Sequence, residues 1–162
     1  MDATVNTGFW SLAETVCARR APAIEAAAME HARRAWLDTL ACMVGGAGEP
    51  AARAAAQAAD TAGAEHRALV LGAASHALDY DDVCMLATCH PSAPVVSALL
   101  AGIDRAEGEA TLADLLAAHL VGTETMLRLG AWLGFGHYAL GFHATGTLGV
   151  VGSVPIPEVL RN

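Results

Sequence analysis

Two short stretches carry the side chains that could move protons. The first is His76-Ala-Leu-Asp79-Tyr80-Asp81-Asp82, followed by Cys89-His90-Pro91-Ser92. A carboxylate beside an imidazole is a usable acid/base pair near neutral pH, because the imidazole ordinarily titrates there. On a continuous helix His76 and Asp79 would share a face, and so would Asp79 and Asp82. Three acids within four residues at a helix C-terminus oppose the macrodipole. Stability alone does not choose that arrangement, which points to a site; the plain alternative is a solvated helix end. His90 precedes a proline, which favours extended backbone and lets the ring turn toward the acidic segment. A histidine that only caps the next helix is the competing reading. The second stretch is Gly136-His137-Tyr138-Ala139-Leu140-Gly141-Phe142-His143-Ala144-Thr145-Gly146-Thr147. Small residues bracket His143 and hydroxyls follow it, which suits a pocket wall where backbone approaches a ligand. A tight helix crossing around a buried histidine explains the same pattern.

A metal reading takes His76, Asp79 and His90 as a two-histidine, one-carboxylate set, with Cys84 and Cys89 nearby. The two cysteines are five apart with no second pair, so zinc-knuckle spacing is missing, and no metal is expected. His119, in an apolar stretch, reads as a core or interface histidine. Arg128 could bind a carboxylate, but Glu124 lies four residues before it, the spacing of a helix-surface ion pair. His31, Arg33 and Arg34 read as a solvated helix face, and Trp36 and Trp132 as core.

The elements that must position these residues are helical. Residues 9–20 form an amphipathic stretch. Pro22 suits the first turn of a second helix, where a missing amide costs nothing. Met29, Ala32, Trp36, Leu40 and Met43 then recur at three- and four-residue spacing as one apolar stripe, ended by Gly45 and Gly46. Pro50 opens an alanine-rich third helix that Gly63 closes. Residues 69–82 read as a fourth helix. Ser92 and Pro94 look like the cap and first turn of a fifth, to about residue 107. Thr111 with Asp114 resembles a capping box for a sixth, to about residue 133. Residues 141–152 are glycine-rich and apolar, and the X-Pro bonds of Ser153-Val-Pro-Ile-Pro disfavour helix after them. No stretch alternates apolar and polar residues long enough for a strand. The expected class is all-α, a helical bundle or array over residues 1–152 with an irregular tail at 153–162.

Composition bounds the function. The chain has 162 residues, 54% apolar and 16% charged, with a formal net charge of −8, enough to pack one sizeable core. Lysine is absent, and all nine basic residues are arginine. That excludes a Schiff-base lysine and a P-loop lysine, and the net negative charge argues against nucleic acid or anionic membrane as partner. Four cysteines are too few for a disulfide scaffold. No signal peptide or transmembrane run stands out. A cytoplasmic protein with free core thiols is expected.

Taken together these segments resemble the MmgE/PrpD family, which includes 2-methylcitrate dehydratase, cis-aconitate decarboxylase and iminodisuccinate epimerase. The matching residues are Ala35-Trp36-Leu37-Asp38-Thr39-Leu40-Ala41-Cys42, Gly72 to Asp82, His90-Pro91-Ser92-Ala93-Pro94-Val95-Val96, Met126-Leu127-Arg128-Leu129-Gly130, and His137-Tyr138 through Gly141-Phe142-His143-Ala144-Thr145-Gly146-Thr147. They occur in family order across about residues 10–150. The resemblance implies the helical N-terminal part of that fold and acid/base work, without a cofactor, on a carbon next to a carboxylate of a small polycarboxylate. It assigns catalytic roles to Asp79, His90 and His143. Asp82, Thr145 and Arg128 are the candidate substrate contacts. A homo-oligomer, as a dimer, is expected.

The chain departs from the family pattern in places. Val83 stands where many relatives have threonine, and Cys84 where they often have histidine. Relatives are several hundred residues long, with a second α+β domain that brings lysines to the site. The change of composition at Ser153 therefore reads as a truncated or frameshifted product, expected to be weakly active or inactive alone; the alternative reading is a non-catalytic oligomerising helical module.

Overall fold

The computed structural model describes residues 24–58, 63–105 and 110–153. The expected helix at 9–20, Pro22 and the tail beyond residue 153 lie outside these residues. Among the described residues there are seven α-helices and no strand beyond one isolated bridge between Cys84 and Cys89, so the class is all-α.

Helix α1 (Ala26–Gly46) forms on the apolar stripe. It buries Ala32, Trp36, Thr39, Cys42 and Met43. Leu40 is 39% exposed, and Thr39 takes the inward place expected of it. The Thr39 hydroxyl is affordable there because it donates to the Ala35 carbonyl at 2.7 Å, within the helix. His31, Arg33 and Arg34 are exposed, as expected, and Glu30 pairs with both arginines. Helix α2 (Pro50–Gln57) begins on its proline. Gly63 does not close it: this glycine is the N-cap of α3 (Ala64–His76).

The expected fourth helix is thus shifted. It starts five residues earlier than read and stops at His76, not Asp82. Helix α4 (Ser92–Gly102) continues into a 3-10 turn at Ile103–Arg105. Helix α5 (Leu112–Leu133) has the expected capping box, with the Thr111 side chain accepting from the Asp114 amide and the Asp114 carboxylate from the Thr111 amide. Those hydrogen bonds hold the Asp114 pKa below its ordinary value. A short α6 (Gly136–Ala139) leads into α7 (Ala144–Ser153), which the glycine-rich stretch forms.

Helix α4 is the centre of the array. Ser92, Ala93, Val95, Val96, Ser97, Leu99 and Ala101 are all buried, and it packs against α1, α3, α5 and α7. A helix apolar nearly all round belongs in a core. Leu99, Leu116, Met126, Val95 and Val96 are its largest fully buried side chains. Trp36 is in this core, but Trp132 is not, being 71% exposed. Its helix turns that position outward near the α5 terminus.

Two helix crossings require glycine. At α1 against α3, a Cβ on Gly46 would stand 2.1 Å from the Ala74 carbonyl oxygen. At α5 against α7, a Cβ on Gly152 would meet Met126 Cγ at 2.5 Å, and one on Gly122 would meet the Gly152 carbonyl oxygen at 2.6 Å. Backbone cannot yield as a flexible side chain can, so Gly46→Ala is expected to destabilise the fold by about 1–3 kcal/mol. Gly48→Ala, where a Cβ meets nothing within 4 Å, should stay within about 0.5 kcal/mol of the parent. Thermal unfolding of the two variants checks this.

Candidate active site

The site is built where α3 ends. His76 is the last residue of α3, and the chain turns at once, the Asp79 amide donating to the His76 carbonyl at 3.2 Å. Asp79 has a positive φ of 55°, a left-handed conformation that aspartate tolerates better than most residues. The reversal brings Asp81 back beneath His76. His76 Nδ1 donates to the Asp81 carboxylate, 3.0 Å from each oxygen. The predicted i,i+3 alignment of His76, Asp79 and Asp82 is therefore replaced by a turn, and the acids lie past the helix end instead of in its last turn.

A second reversal supplies His90. Cys84 and Cys89 exchange both backbone hydrogen bonds, at 2.9 and 3.3 Å, which closes the loop between them and sets His90 just after it. The His90 amide donates to Thr145 Oγ1 at 2.9 Å, tying this segment to α7. His90 Nδ1 then lies 3.3 Å from Asp81 Oδ2, and its Nε2 3.8 Å from Asp79 Oδ1. The Nδ1 contact is out of line for a hydrogen bond, leaving that nitrogen buried without a hydrogen-bond partner. The His76 and His90 rings are 4.5 Å apart between centroids.

His143 immediately precedes α7 and reaches the same place. Its ring centroid is 6.5 Å from that of His76 and 5.9 Å from Tyr138. It is exposed, so it is not the buried histidine of a tight crossing; that crossing uses Gly122 and Gly152. His137 braces the segment by stacking on Phe142 at 5.1 Å and sharing a 2.7 Å hydrogen bond with Thr147 Oγ1.

Asp79, His90 and His143 are thus brought together, and the hub among them is Asp81. Its side chain is fully buried while that of Asp79 is 81% exposed. Sequence reasoning included Asp81 in the cluster but gave it no role. The signal was its five-residue separation from His76, which pairs the two only if the helix stops between them.

The other three candidates have structural partners. Asp82 accepts from the Ser92 amide at 3.1 Å and the Ser92 hydroxyl at 2.5 Å, capping α4 from outside the helix. Ser92 is the first residue of α4, not its cap. Burial raises the Asp82 pKa above its ordinary value, and the two Ser92 hydrogen bonds oppose that. The Thr145 hydroxyl receives the His90 amide. Arg128 is held by Glu124, its Nε donating at 2.8 Å, beside an apolar groove formed by Leu86, Leu120 and Leu127.

Residues 10–155 match the MmgE/PrpD N-terminal domain. The chain belongs to the MmgE/PrpD family. No individual curated protein matches it. The matched span of this MmgE/PrpD chain contains the whole cluster and the helices that carry it.

His119 is the core histidine that its apolar stretch led one to expect. It is buried on α5, with Nε2 3.0 Å from Ser92 Oγ and Nδ1 without a partner, and it meets Trp36 edge-on at 6.5 Å. Because the Ser92 hydroxyl donates to Asp82, His119 Nε2–H donates to Ser92. A proton on Nδ1 would be buried unpaired, and burial pushes the His119 pKa down to about 4 from 6.5. Between those values the unfolded chain binds a proton that the folded chain refuses. The stability His119 protects is complete above pH 6.5 and falls as the pH drops to about 4, by about 3 kcal/mol in all. Asp82, raised by burial, acts with the opposite sign. Unfolding of wild type against His119→Gln from about pH 7 to 5 should show the slope flattened in the variant.

Among the described residues Cys42, Cys84 and Cys89 are free, while Cys17 lies outside them. Burial pushes the Cys89 thiol up to about 11, which makes it a poor nucleophile. No described helix is long and apolar enough to cross a membrane.

Proposed function

We propose that this chain carries the acid/base half-site of a lyase that dehydrates a small polycarboxylate, in the manner of 2-methylcitrate dehydratase. The observation that supports the reading is that two imidazoles, His76 and His90, flank one buried carboxylate, Asp81, with exposed Asp79 and His143 beside them. A buried carboxylate facing an imidazole stabilises its protonated form as a proton arrives. His90 takes the proton from the carbon next to a substrate carboxylate, and His143, open to solvent, protonates the leaving hydroxyl. The proton arrives at His90 Nε2, because Nδ1 is buried against Asp81, and exposed Asp79, 3.8 Å from that Nε2, takes it on from there. No cofactor is required for these steps. Epimerisation of an iminodisuccinate-like dicarboxylate needs the same groups, with the second proton returned to the opposite face of the carbon.

Dehydration of 2-methylcitrate and epimerisation of iminodisuccinate are to be assayed side by side. Asp79→Asn and His90→Gln should each lower turnover by roughly 100-fold or more. Turnover that Asp79→Asn leaves unchanged would remove the assignment.

The partner proposed beside the substrate is a second copy of the chain. Trp132, Phe135, Leu140 and Phe142 are each more than half exposed, and apolar surface of this kind usually marks an interface. Light scattering at micromolar concentration should report a dimer that Trp132→Glu weakens. A clean wild-type monomer would contradict this.

A further inference from the structure

We propose that His76, Asp81, His90 and Asp79 bind one divalent cation of the zinc type. One ligand atom from each lies within 4.8 Å of the others. With His90 ligating through Nδ1, the separations of 3.0 Å from His76 Nδ1 to Asp81 Oδ2 and 3.3 Å from His90 Nδ1 to Asp81 Oδ2 lie close to the separation of about 3.4 Å between ligands around a tetrahedral ion with bonds near 2.1 Å. The donor set of two imidazoles and two carboxylates suits zinc, cobalt or nickel better than the harder magnesium or calcium.

Two further observations favour a cation. His90 Nδ1 is buried, faces the Asp81 carboxylate and has no hydrogen-bond partner; in its neutral form, that nitrogen can offer a lone pair to an ion. The two carboxylates bring negative charge to one place, and among the described ion pairs no arginine meets either of them. Lysine is absent from the chain. Sequence spacing pointed away from a metal because Cys84 and Cys89 lack a second pair, and the set of His76, Asp79 and His90 that it offered left Asp81 out. The turn after His76 supplies the carboxylate that completes the set.

The ion and the proton compete for the same nitrogen lone pairs. A bound cation therefore silences the acid/base work proposed above, and the two uses of the cluster exclude one another at any instant. The inference does not rest on the lyase reading, because binding is measured without substrate.

The test uses tag-free, full-length protein stripped with a chelator. Titration with Zn2+ by calorimetry, and with Co2+ by its visible absorption, should show one ion per chain. Asp79→Asn and His90→Ala should each weaken binding at least about tenfold, whereas Asp104→Asn, remote in sequence and paired with Arg67, should leave it unchanged. Asp79 is exposed, so its variant keeps the fold. Wild-type protein gives a readout free of any variant: saturating Zn2+ should protect His76 and His90 from diethylpyrocarbonate, located by mass spectrometry. Absence of stoichiometric binding, binding indifferent to Asp79→Asn and His90→Ala, or bound Zn2+ that leaves both histidines reactive would each overturn the proposal. A chain that binds Zn2+ yet turns over neither substrate fails the lyase reading alone.

Discussion

A carboxylate withdrawn from water must be met by donors or it will not stay charged there. The burial of Asp81 imposes that condition on everything around it. His76 meets it from the end of α3, and His90 approaches from the loop that leads into α4. The constraint thus closes the segment between two helices onto itself and aligns both imidazoles. The left-handed turn at Asp79 and the Cys84–Cys89 bridge are the local devices that make this closure geometrically possible.

A second polar chain fastens the same segment to the core. Asp82 caps α4 through Ser92, and Ser92 receives His119 from α5. Asp81 and Asp82 are adjacent yet do different work: one faces the histidine cluster, the other the first turn of a buried helix. Thr145 adds a third tie by accepting the His90 amide, so the segment carrying His143 is held in register with the others. The glycine contacts at Gly46, Gly122 and Gly152 let the helices come close enough for these short side chains to reach.

Much of this was legible in the residues. The α1 stripe, the Pro50 start, the Thr111–Asp114 capping box and the Arg128–Glu124 pair all rest on interactions between neighbours in sequence, and spacing reports those directly. So was the membership of the cluster, since His76, Asp79, His90 and His143 stand out by type. The α3 terminus was not legible. Nothing in residues 77–82 forbids another helical turn, and the chain leaves the helix because tertiary contacts to His90 and Ser92 reward the turn more than local propensity rewards continuation. Trp132 was misplaced for a related reason: its aromatic character says it is worth burying, and only the neighbouring helices decide whether a surface is there to cover it.

What the sequence determined alone is therefore local and compositional: an all-α chain, its helix-starting signals, its lack of lysine, its family, and two segments holding the polar groups. Tertiary structure decided which carboxylate of three is buried between the imidazoles, that Asp82 and Thr145 brace backbone, and that His119 is held neutral in the core. The reason is physical. Helical periodicity and capping arise between residues a few positions apart, whereas desolvation and a carboxylate's choice of partner depend on groups that meet only when distant segments pack together.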